Sequence, residues 1–201
     1  MSRYYYEFQR VNDYCYPDSY VLRNKLGIED AATLEQAERR LTSARIAELA
    51  KFPIRGKFDL RYLCAIHRHI FQDIYAWAGE LRMVNIAKGN QFCLYQHLET
   101  YAATVFDELK AEKQLTKTPA EQMPARLTYY LSEINVLHPF REGNGRAQRV
   151  FIEQLAQKAG WHVDFSDVSA EEMIEASALA FAKEYDKMTA MFERILSPVD
   201  S

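Results

Sequence analysis

The stretch that decides the fold lies in the second half of the chain and reads His138-Pro-Phe-Arg-Glu-Gly-Asn-Gly-Arg-Ala-Gln-Arg149. Apolar residues recur at helical spacing on both sides of it, which predicts one helix over Ala120–Leu137 and another over Gly145–Ala159. The segment 138–149 is therefore a short loop followed by a helix start. Its two glycines permit backbone conformations and close ligand contacts that a Cβ atom would prevent.

The start of the second helix has the features of a polyphosphate site. Free N–H groups at a helix N-terminus bind anions, and Gly143 and Gly145 let a ligand approach them. Asn144 offers a further amide N–H to a phosphate oxygen. Arg146 and Arg149 are three residues apart, so both project from one side of the helix. Guanidinium groups match phosphate oxygens in geometry as well as in charge.

A carboxylate, an imidazole and an aromatic ring complete the segment. Glu142 would repel a phosphate unless a cation lay between them, so we interpret it as a ligand of Mg²⁺, which prefers oxygen donors. His138 ends the preceding helix, and an ordinary imidazole pKa of about 6.5 suits a general base near neutral pH. Phe140 interrupts the polar run, and we expect it to pin the loop to the core.

The same residues have a purely structural interpretation, in which His138 is a satisfied helix-end residue and Glu142 pairs with an arginine. The density of functional groups favours chemistry instead. A base, a carboxylate, an amide, two glycines and two arginines occur within twelve residues, and a structural turn requires none of them.

Other parts of the chain are also predicted to be helical. Apolar periodicity indicates helices over residues 34–49, 59–75 and 95–113. Asp59 is the expected N-cap of the second of these. Thr118 and Ser169 are each followed three residues later by glutamate, so both are expected to begin a helix with a capping box.

One β-hairpin is predicted among these helices. Leu81–Ile86 and Gln91–Leu94 flank Lys88-Gly-Asn90, whose glycine suits a turn. The fold class is therefore all-α with one small hairpin. Residues 1–201 are expected to form a single domain, and the aperiodic residues 1–15 are expected to form a flexible surface arm.

Composition excludes several classes of function. The net charge of −3 argues against a dedicated nucleic-acid binder. Its first residues lack the apolar h-region of a secretory signal, and no apolar run approaches the length of a membrane span, so neither feature is expected. Its three cysteines, Cys15, Cys64 and Cys93, lie far apart, which is typical of reduced thiols. We therefore expect a cytoplasmic location and no direct contact with nucleic acid or membrane.

A pair of histidines, His67 and His69, superficially suggests a metal site. Positions i and i+2 of a helix face apart. We therefore do not expect these two residues to bind one ion.

Position by position, His138–Arg149 matches the motif His-x-Phe-x-(Asp/Glu)-Gly-Asn-Gly-Arg-x-x-Arg, and on this basis the chain resembles the Fic (filamentation induced by cAMP) family. Ile66–Arg82 looks like the family's helix leading into its flap. Tyr16-Pro17 and Val21–Gly27 look like its N-terminal segment. The resemblance implies an all-α Fic (Fido) fold with a β-hairpin flap over the active site.

The resemblance also implies an activity, the transfer of AMP from Mg–ATP to a hydroxyl side chain of a target protein. His138 would deprotonate the hydroxyl, and Glu142 would hold Mg²⁺. The nucleotide-binding residues implied by the motif are Phe140, Gly143, Asn144, Gly145, Arg146 and Arg149, of which Gly143 to Gly145 cradle the α-phosphate and the two arginines bind the β/γ end.

The flap is expected to orient the target by strand addition. Because family members often modify themselves, three N-terminal tyrosines are candidate automodification sites. The flap residues are Met83, Val84, Asn85, Ile86, Ala87 and Lys88, and the tyrosines are Tyr4, Tyr5 and Tyr6.

Other chemistry within the family stays open. The phosphate-transferring branch carries lysine where this chain has Gly145, which favours AMP here. Transfer of another phosphate-containing group, such as UMP or phosphocholine, is the alternative within the family. A non-catalytic Fic-like module that binds a nucleotide or a partner, and a Mg²⁺-dependent nucleotide hydrolase, are the alternatives outside it.

Regulation by a separate partner is implied as well. Fic proteins are commonly inhibited by a helix with the motif (Ser/Thr)-x-x-x-Glu-(Gly/Asn), whose glutamate would here pair with Arg149. Only Thr104 and Thr189 have a glutamate at this spacing, and neither glutamate is followed by Gly or Asn. The resemblance therefore suggests a stand-alone bacterial Fic toxin of class I, inhibited by a small antitoxin that supplies the helix. Its expected targets are the ATPase subunits of DNA gyrase (gyrase B) and topoisomerase IV.

Overall fold

The computed structural model describes residues 5–6, 14–88 and 90–199. The predicted class, a mostly helical fold with one small antiparallel hairpin, is confirmed. The α-helices of these residues are α1 Ala31–Lys51, α2 Leu60–Phe71, α3 Leu98–Ala111, α4 Met123–Leu137, α5 Asn144–Lys158, α6 Ala170–Phe181 and α7 Asp186–Ile195.

Short strands accompany the helices. They form one sheet of order β1-β2-β3 and a second, two-stranded sheet, β4-β5, with every pairing antiparallel. The strands are β1 Tyr5–Tyr6, β2 Ile86–Lys88, β3 Asn90–Gln91, β4 Trp161–Val163 and β5 Leu196–Pro198.

Helices α4 and α5 form the centre of the core. Helix α4 packs against α3, α5, α6 and α7, and α5 also packs against α2. Leu127 and Ile134 on α4 and Phe151 and Leu155 on α5 are completely buried, and each such side chain contributes about 1.5–3 kcal/mol on burial. The loop that joins these two helices therefore starts and ends on the best-anchored part of the fold.

Two of the predicted helix caps are confirmed. The Asp59 carboxylate accepts from the backbone N–H of Tyr62 at 2.9 Å, and the Ser169 hydroxyl accepts from that of Glu172 at 3.1 Å. The Thr118 cap was wrong. The backbone N–H of Thr118 belongs to the preceding turn, and α4 begins only at Met123, after a 3-10 turn and without a side-chain cap.

The hairpin is shorter than predicted. Strands β2 and β3 occupy only its tip, rather than residues 81–86 and 91–94. The cause is competition for backbone hydrogen bonds. The N–H of Arg82 donates to the carbonyl of Pro139 and that of Cys93 to the carbonyl of Val136, both at 2.9 Å. Because both flanking segments bond to the end of α4, they do not pair with each other.

The expected N-terminal arm lies mostly outside the described residues, as does Tyr4. Within it, Tyr5 and Tyr6 form β1 and pair with Ala87 and Ile86 of β2. The far end of the predicted arm is not a surface segment. Cys15 is buried, and its carbonyl accepts from the Nε–H of Arg23 at 2.7 Å. No helix in the described part of the chain is both long and apolar enough to cross a membrane.

Candidate active site

His138 terminates α4 in a left-handed conformation, with φ 43° and ψ 59°, which is uncommon for a residue other than glycine. Its backbone N–H donates to Ile134 at 3.1 Å, and its carbonyl accepts from the Nε–H of Arg82 at 2.8 Å. The imidazole stacks on the ring of Phe92 with 3.8 Å between centroids. The backbone of α4 and the flap thus position this ring together.

Burial sets the protonation state of His138. Burial, together with the positive charges of Arg82 and Lys88 and against an opposing hydrogen bond with the Asn135 backbone, lowers the imidazole pKa to about 3. The ring is therefore neutral near pH 7. A neutral imidazole can accept a proton, but a pKa of about 3 makes it a weaker base than an ordinary imidazole.

Asn144 closes the loop on itself. Its side-chain oxygen accepts from the N–H of Phe140 at 2.9 Å, and its amide nitrogen donates to the carbonyl of Phe140 at 2.8 Å. This use of the amide differs from the expected contact with a phosphate. A phosphate would instead meet backbone N–H groups, because those of Asn144 and the next residues of the first turn of α5 have no partner within the helix.

The two glycines of the loop have different roles. Gly143 has φ +79°, and a Cβ added to it would lie 2.1 Å from the Phe71 ring, so the fold itself requires glycine there. Gly145 is exposed, and an added Cβ would meet only the guanidinium of Arg149, at 3.5 Å. Gly145 therefore keeps the N-terminus of α5 open to a ligand.

Glu142 lies half-buried beside the start of α5. Its carboxylate accepts from the backbone N–H of Gly143 at 2.9 Å. Burial raises the pKa of this carboxyl, and the nearby carboxylate of Glu38 raises it further, while Gly143 and Arg146 lower it. A bound cation would stabilise the ionised form that this environment disfavours, so Glu142 suits a metal ligand.

Arg146 does not stand free at the helix start. It forms an ion pair with Glu38 of α1, donates to the Thr42 hydroxyl at 3.2 Å and lies 4.7 Å above the ring of Phe71. Tyr75 donates a hydrogen bond to the other oxygen of Glu38. The guanidinium that we expected to bind phosphate is therefore oriented by α1, a helix that contributes nothing to the motif.

Arg149 faces a cleft of about 290 Å³ next to His138, close to the lower end of the roughly 300–1,000 Å³ of small-molecule sites. Burial lowers the pKa of its guanidinium, and the nearby carboxylate of Glu153 raises it. One wall of the cleft was missed by the sequence analysis, since α6 carries no recognisable motif. Further lining residues are Lys88, Asn90 and Phe92 from the flap and Met173, Ile174 and Phe181 from α6.

Only part of the predicted flap faces outward. Val84 and Ile86 are buried with Phe92 in a small separate cluster, and the Asn85 side chain accepts from the backbone N–H of Tyr95 at 3.0 Å. Ala87 is half-buried, whereas Met83 and Lys88 are exposed. Strand β2 also has a neighbour on each side, β1 and β3.

His67 also lies at the site, although the sequence did not predict it there. Its Nδ1 lies 2.8 Å from the backbone N of Gly79, and its Nε2 lies 3.0 Å from the carbonyl oxygen of Glu142. Burial lowers the imidazole pKa to about 3. His69 lies instead at the surface, 3.2 Å from a carboxylate oxygen of Glu48. The two histidines bind different partners, as the helical spacing predicted.

Comparison with known proteins places this site in a family. Residues 57–156 match the Fic/DOC family. The chain is 42% identical over 193 residues to the protein adenylyltransferase VbhT of Bartonella schoenbuchensis, covering 95% of this chain but only 40% of VbhT. It is 39% identical to the probable protein adenylyltransferase Fic of Salmonella typhimurium, covering 92% of both chains.

Solved structures agree with these relatives. The N-terminal Fic domain of a cell filamentation protein from Bartonella quintana, with bound ADP, superimposes with a TM-score of 0.88 at 30% identity and covers 94% of this chain and 96% of that domain. BepC from Bartonella tribocorum, with bound AMPPNP, gives a TM-score of 0.88 at 27% identity, covering 94% of this chain and 98% of BepC. Both relatives share the mostly helical Fic fold.

Proposed function

Since this chain belongs to the Fic/DOC family and is a protein adenylyltransferase like its curated relatives, we propose that it transfers AMP from Mg–ATP to a hydroxyl side chain of another protein. One observation carries the proposal. A neutral histidine, His138, lines the same cleft as Gly145 and Arg149 at the start of a 15-residue helix.

His138 takes the proton in the proposed reaction. The target hydroxyl oxygen forms a bond to the α-phosphorus of ATP while the bond from that phosphorus to the bridging oxygen breaks. The hydroxyl proton moves to the imidazole, and the electron pair leaves with pyrophosphate. A positioned base of this kind accelerates a reaction by about 10²–10⁴-fold.

The start of α5 holds the nucleotide in this proposal. The backbone N–H groups of its first turn and the helix dipole favour a phosphate at Gly143 to Gly145, where the N–H of Gly143 already donates to the Glu142 carboxylate. Arg149 binds the β/γ end from the same cleft, and Arg146 assists if it turns from Glu38 toward the phosphates. The solved relatives with bound ADP and AMPPNP support a nucleotide in a fold of this kind.

Glu142 is the proposed ligand of Mg²⁺, which neutralises phosphate charge when it is bound. The described residues contain no group of three or more His, Cys, Asp or Glu side chains able to hold a metal ion. A magnesium ion at Glu142 therefore relies on phosphate and water oxygens for the rest of its shell, as is common for Mg–nucleotide sites.

Labelled ATP tests this function. Incubation of the protein with cell lysate and Mg²⁺ should label a protein band from α-labelled ATP and not from γ-labelled ATP. His138→Ala should lose the label while ATP binding is retained. Free AMP without labelled protein would favour a hydrolase, and ATP binding without turnover would favour a non-catalytic module.

We further propose that the chain is the class I toxin of a toxin–antitoxin pair. One observation supports a separate inhibitor: the sequence lacks an intact inhibitory motif. Among the described residues, Glu153, one turn along α5, is the acidic neighbour that raises the pKa of Arg149. A partner glutamate bound to Arg149 would exclude the γ-phosphate. Co-expression with a small protein that carries the helix (Ser/Thr)-x-x-x-Glu-(Gly/Asn) should abolish labelling, and full activity in its presence would contradict the pairing.

The proposed targets are the ATPase subunits of DNA gyrase and topoisomerase IV, in the bacterial cytoplasm. Support for this assignment comes from the resemblance of the motif His138–Arg149 to that of bacterial Fic toxins. Purified gyrase B and the topoisomerase IV ATPase subunit should each gain the mass of one adenylyl group in mass spectra, and the reconstituted enzymes should lose supercoiling or decatenation activity. Unmodified subunits under conditions that label another protein would overturn this assignment.

A further inference from the structure

The catalytic loop rests on a shelf of three stacked rings, His67, Phe71 and Phe140. The imidazole of His67 lies 3.8 Å from the ring of Phe140 and 4.6 Å from that of Phe71, with interplanar angles of 19° and 26°. All three side chains are at most 1% exposed. His67 is the only polar ring of this shelf.

Both ring nitrogens of His67 bind backbone atoms, and those atoms determine the tautomer. The N–H of Gly79 can only donate, so Nδ1, 2.8 Å away, is the acceptor. The carbonyl of Glu142 can only accept, so Nε2, 3.0 Å away, carries the proton and donates it. The ring is neutral and joins the turn at Gly79 to the backbone of the metal-binding acid.

We propose that His67 is a positioning residue for the magnesium–nucleotide site, acting through the backbone of Glu142. The inference rests on the proposed role of Glu142 as the Mg²⁺ ligand. Residue 142 is held on one side by His67, and on the other by Gly143, which has no room for a Cβ against Phe71. Together these contacts determine where the Glu142 carboxylate can lie.

Packing alone does not require histidine at this position. A phenylalanine would continue the stack, but it would leave the buried N–H of Gly79 without its acceptor and the carbonyl of Glu142 without its donor. The turn that presents this N–H is itself closely packed, because a Cβ on Gly79 would lie 2.7 Å from the Cβ of Arg68. The imidazole thus connects two rigid segments, and only its Nε2–H reaches the metal-binding residue.

Substitution of His67 by asparagine or by glutamine tests its two hydrogen bonds one at a time. The side-chain oxygen of His67→Asn can accept from Gly79 but its amide cannot reach Glu142, whereas His67→Gln places an amide N–H near the position of Nε2. Mn²⁺ binding in the presence of AMPPNP, followed by electron paramagnetic resonance, reports on the metal site without turnover. His69→Gln, on the same helix but bonded to Glu48 at the surface, is the matched control.

We expect His67→Asn to bind Mn²⁺ about 10–100-fold more weakly, as is typical when a group that orients a metal ligand is removed. His67→Gln should stay within about threefold of the wild type, and AMPPNP binding without metal should change little in either variant. The same Mn²⁺ affinity in the Asn and Gln variants would overturn the inference, since each loses one hydrogen bond.

If the Asn variant does not fold, His67→Phe replaces it, because it also lacks the Nε2–H donor. Wild-type Mn²⁺ affinity in a folded His67→Asn or His67→Phe variant would overturn the inference. A wild-type protein that binds AMPPNP but no Mn²⁺ would instead contradict the proposed role of Glu142, and the inference would fall with it. The two failures are thus distinguished by the behaviour of the unmodified chain.

Discussion

The Nε–H of Arg82 donates to the backbone carbonyl of His138 at 2.8 Å, so the flap and the proposed base are joined by one buried guanidinium. Arg82 also donates to the carbonyls of Val84 and Cys93 on the two arms of the hairpin. Burial lowers its pKa to about 10, so it remains charged at neutral pH. The orientation of the flap over the cleft therefore depends on the left-handed turn at His138.

Replacing this guanidinium should damage stability and activity together. Arg82→Met removes the guanidinium donor from the carbonyls of His138, Val84 and Cys93, and we expect the free energy of unfolding to fall by about 2–4 kcal/mol. Arg82→Lys keeps the charge but cannot reach all three carbonyls, so an intermediate loss is expected. Urea unfolding and AMP transfer measure both effects.

A surface arginine provides the control for this experiment. Arg39 pairs with Glu35 on α1 and its side chain is 77% exposed, so Arg39→Met should change stability by less than about 0.5 kcal/mol. Equal stability losses for Arg82→Met and Arg39→Met would show that the Arg82 contacts do not stabilise the flap.

The lowered pKa of His138 predicts an unusual pH profile. With a pKa of about 3, the imidazole of the free enzyme stays neutral throughout the range from pH 8 to pH 5. The kcat/KM for AMP transfer should therefore be nearly constant over this range. An imidazole with the ordinary pKa of about 6.5 would lose roughly tenfold by pH 5.5. A tenfold loss there would show that His138 titrates normally.

The free energy of unfolding, unlike the activity, should depend on pH. Because the folded-state pKa of His138 lies below its unfolded value, the unfolded chain binds more protons between about pH 6.5 and pH 3. The free energy of unfolding should therefore fall as the pH drops below about 6.5. His67 has the same shift and contributes in the same direction. Denaturant titrations at several pH values check this, and they also define the range in which the activity profile is valid.

Local signals in the sequence predicted most of the helices and the loop between α4 and α5, although not the start of α4. The caps at Asp59 and Ser169 involve residues three positions apart, and the residues of the motif are neighbours in the chain. The contacts that orient those residues are not local. Glu38 lies 108 positions before Arg146, and His67 lies 75 positions before Glu142. Such pairs depend on how α1 and α2 pack against α5, which no periodicity in a single segment reveals.

The glycines of the loop should differ in their tolerance of a methyl group. Gly143→Ala introduces a Cβ 2.1 Å from the Phe71 ring in a backbone with φ +79°, and we expect a loss of more than about 2 kcal/mol in stability. Gly145→Ala meets only Arg149, at 3.5 Å, so stability should change by less than about 1 kcal/mol. Thermal unfolding compares them, and equal destabilisation would contradict the assignment of separate roles.

Strand β1 occupies one edge of the flap, which predicts competition with a target. Because Tyr5 and Tyr6 pair with β2, a target chain that adds to this edge must first displace them. The double variant Tyr5→Pro, Tyr6→Pro cannot donate backbone hydrogen bonds to β2. It should lower the KM for the target protein several-fold without changing ATP binding.

Tyr5→Phe, Tyr6→Phe is the matched control, since it keeps the backbone pairing and removes only the phenol hydroxyls. It should leave target modification unchanged and abolish any AMP adduct at these positions in mass spectra of the enzyme after incubation with Mg–ATP. An unchanged KM in the proline variant would show that the target docks elsewhere on the flap.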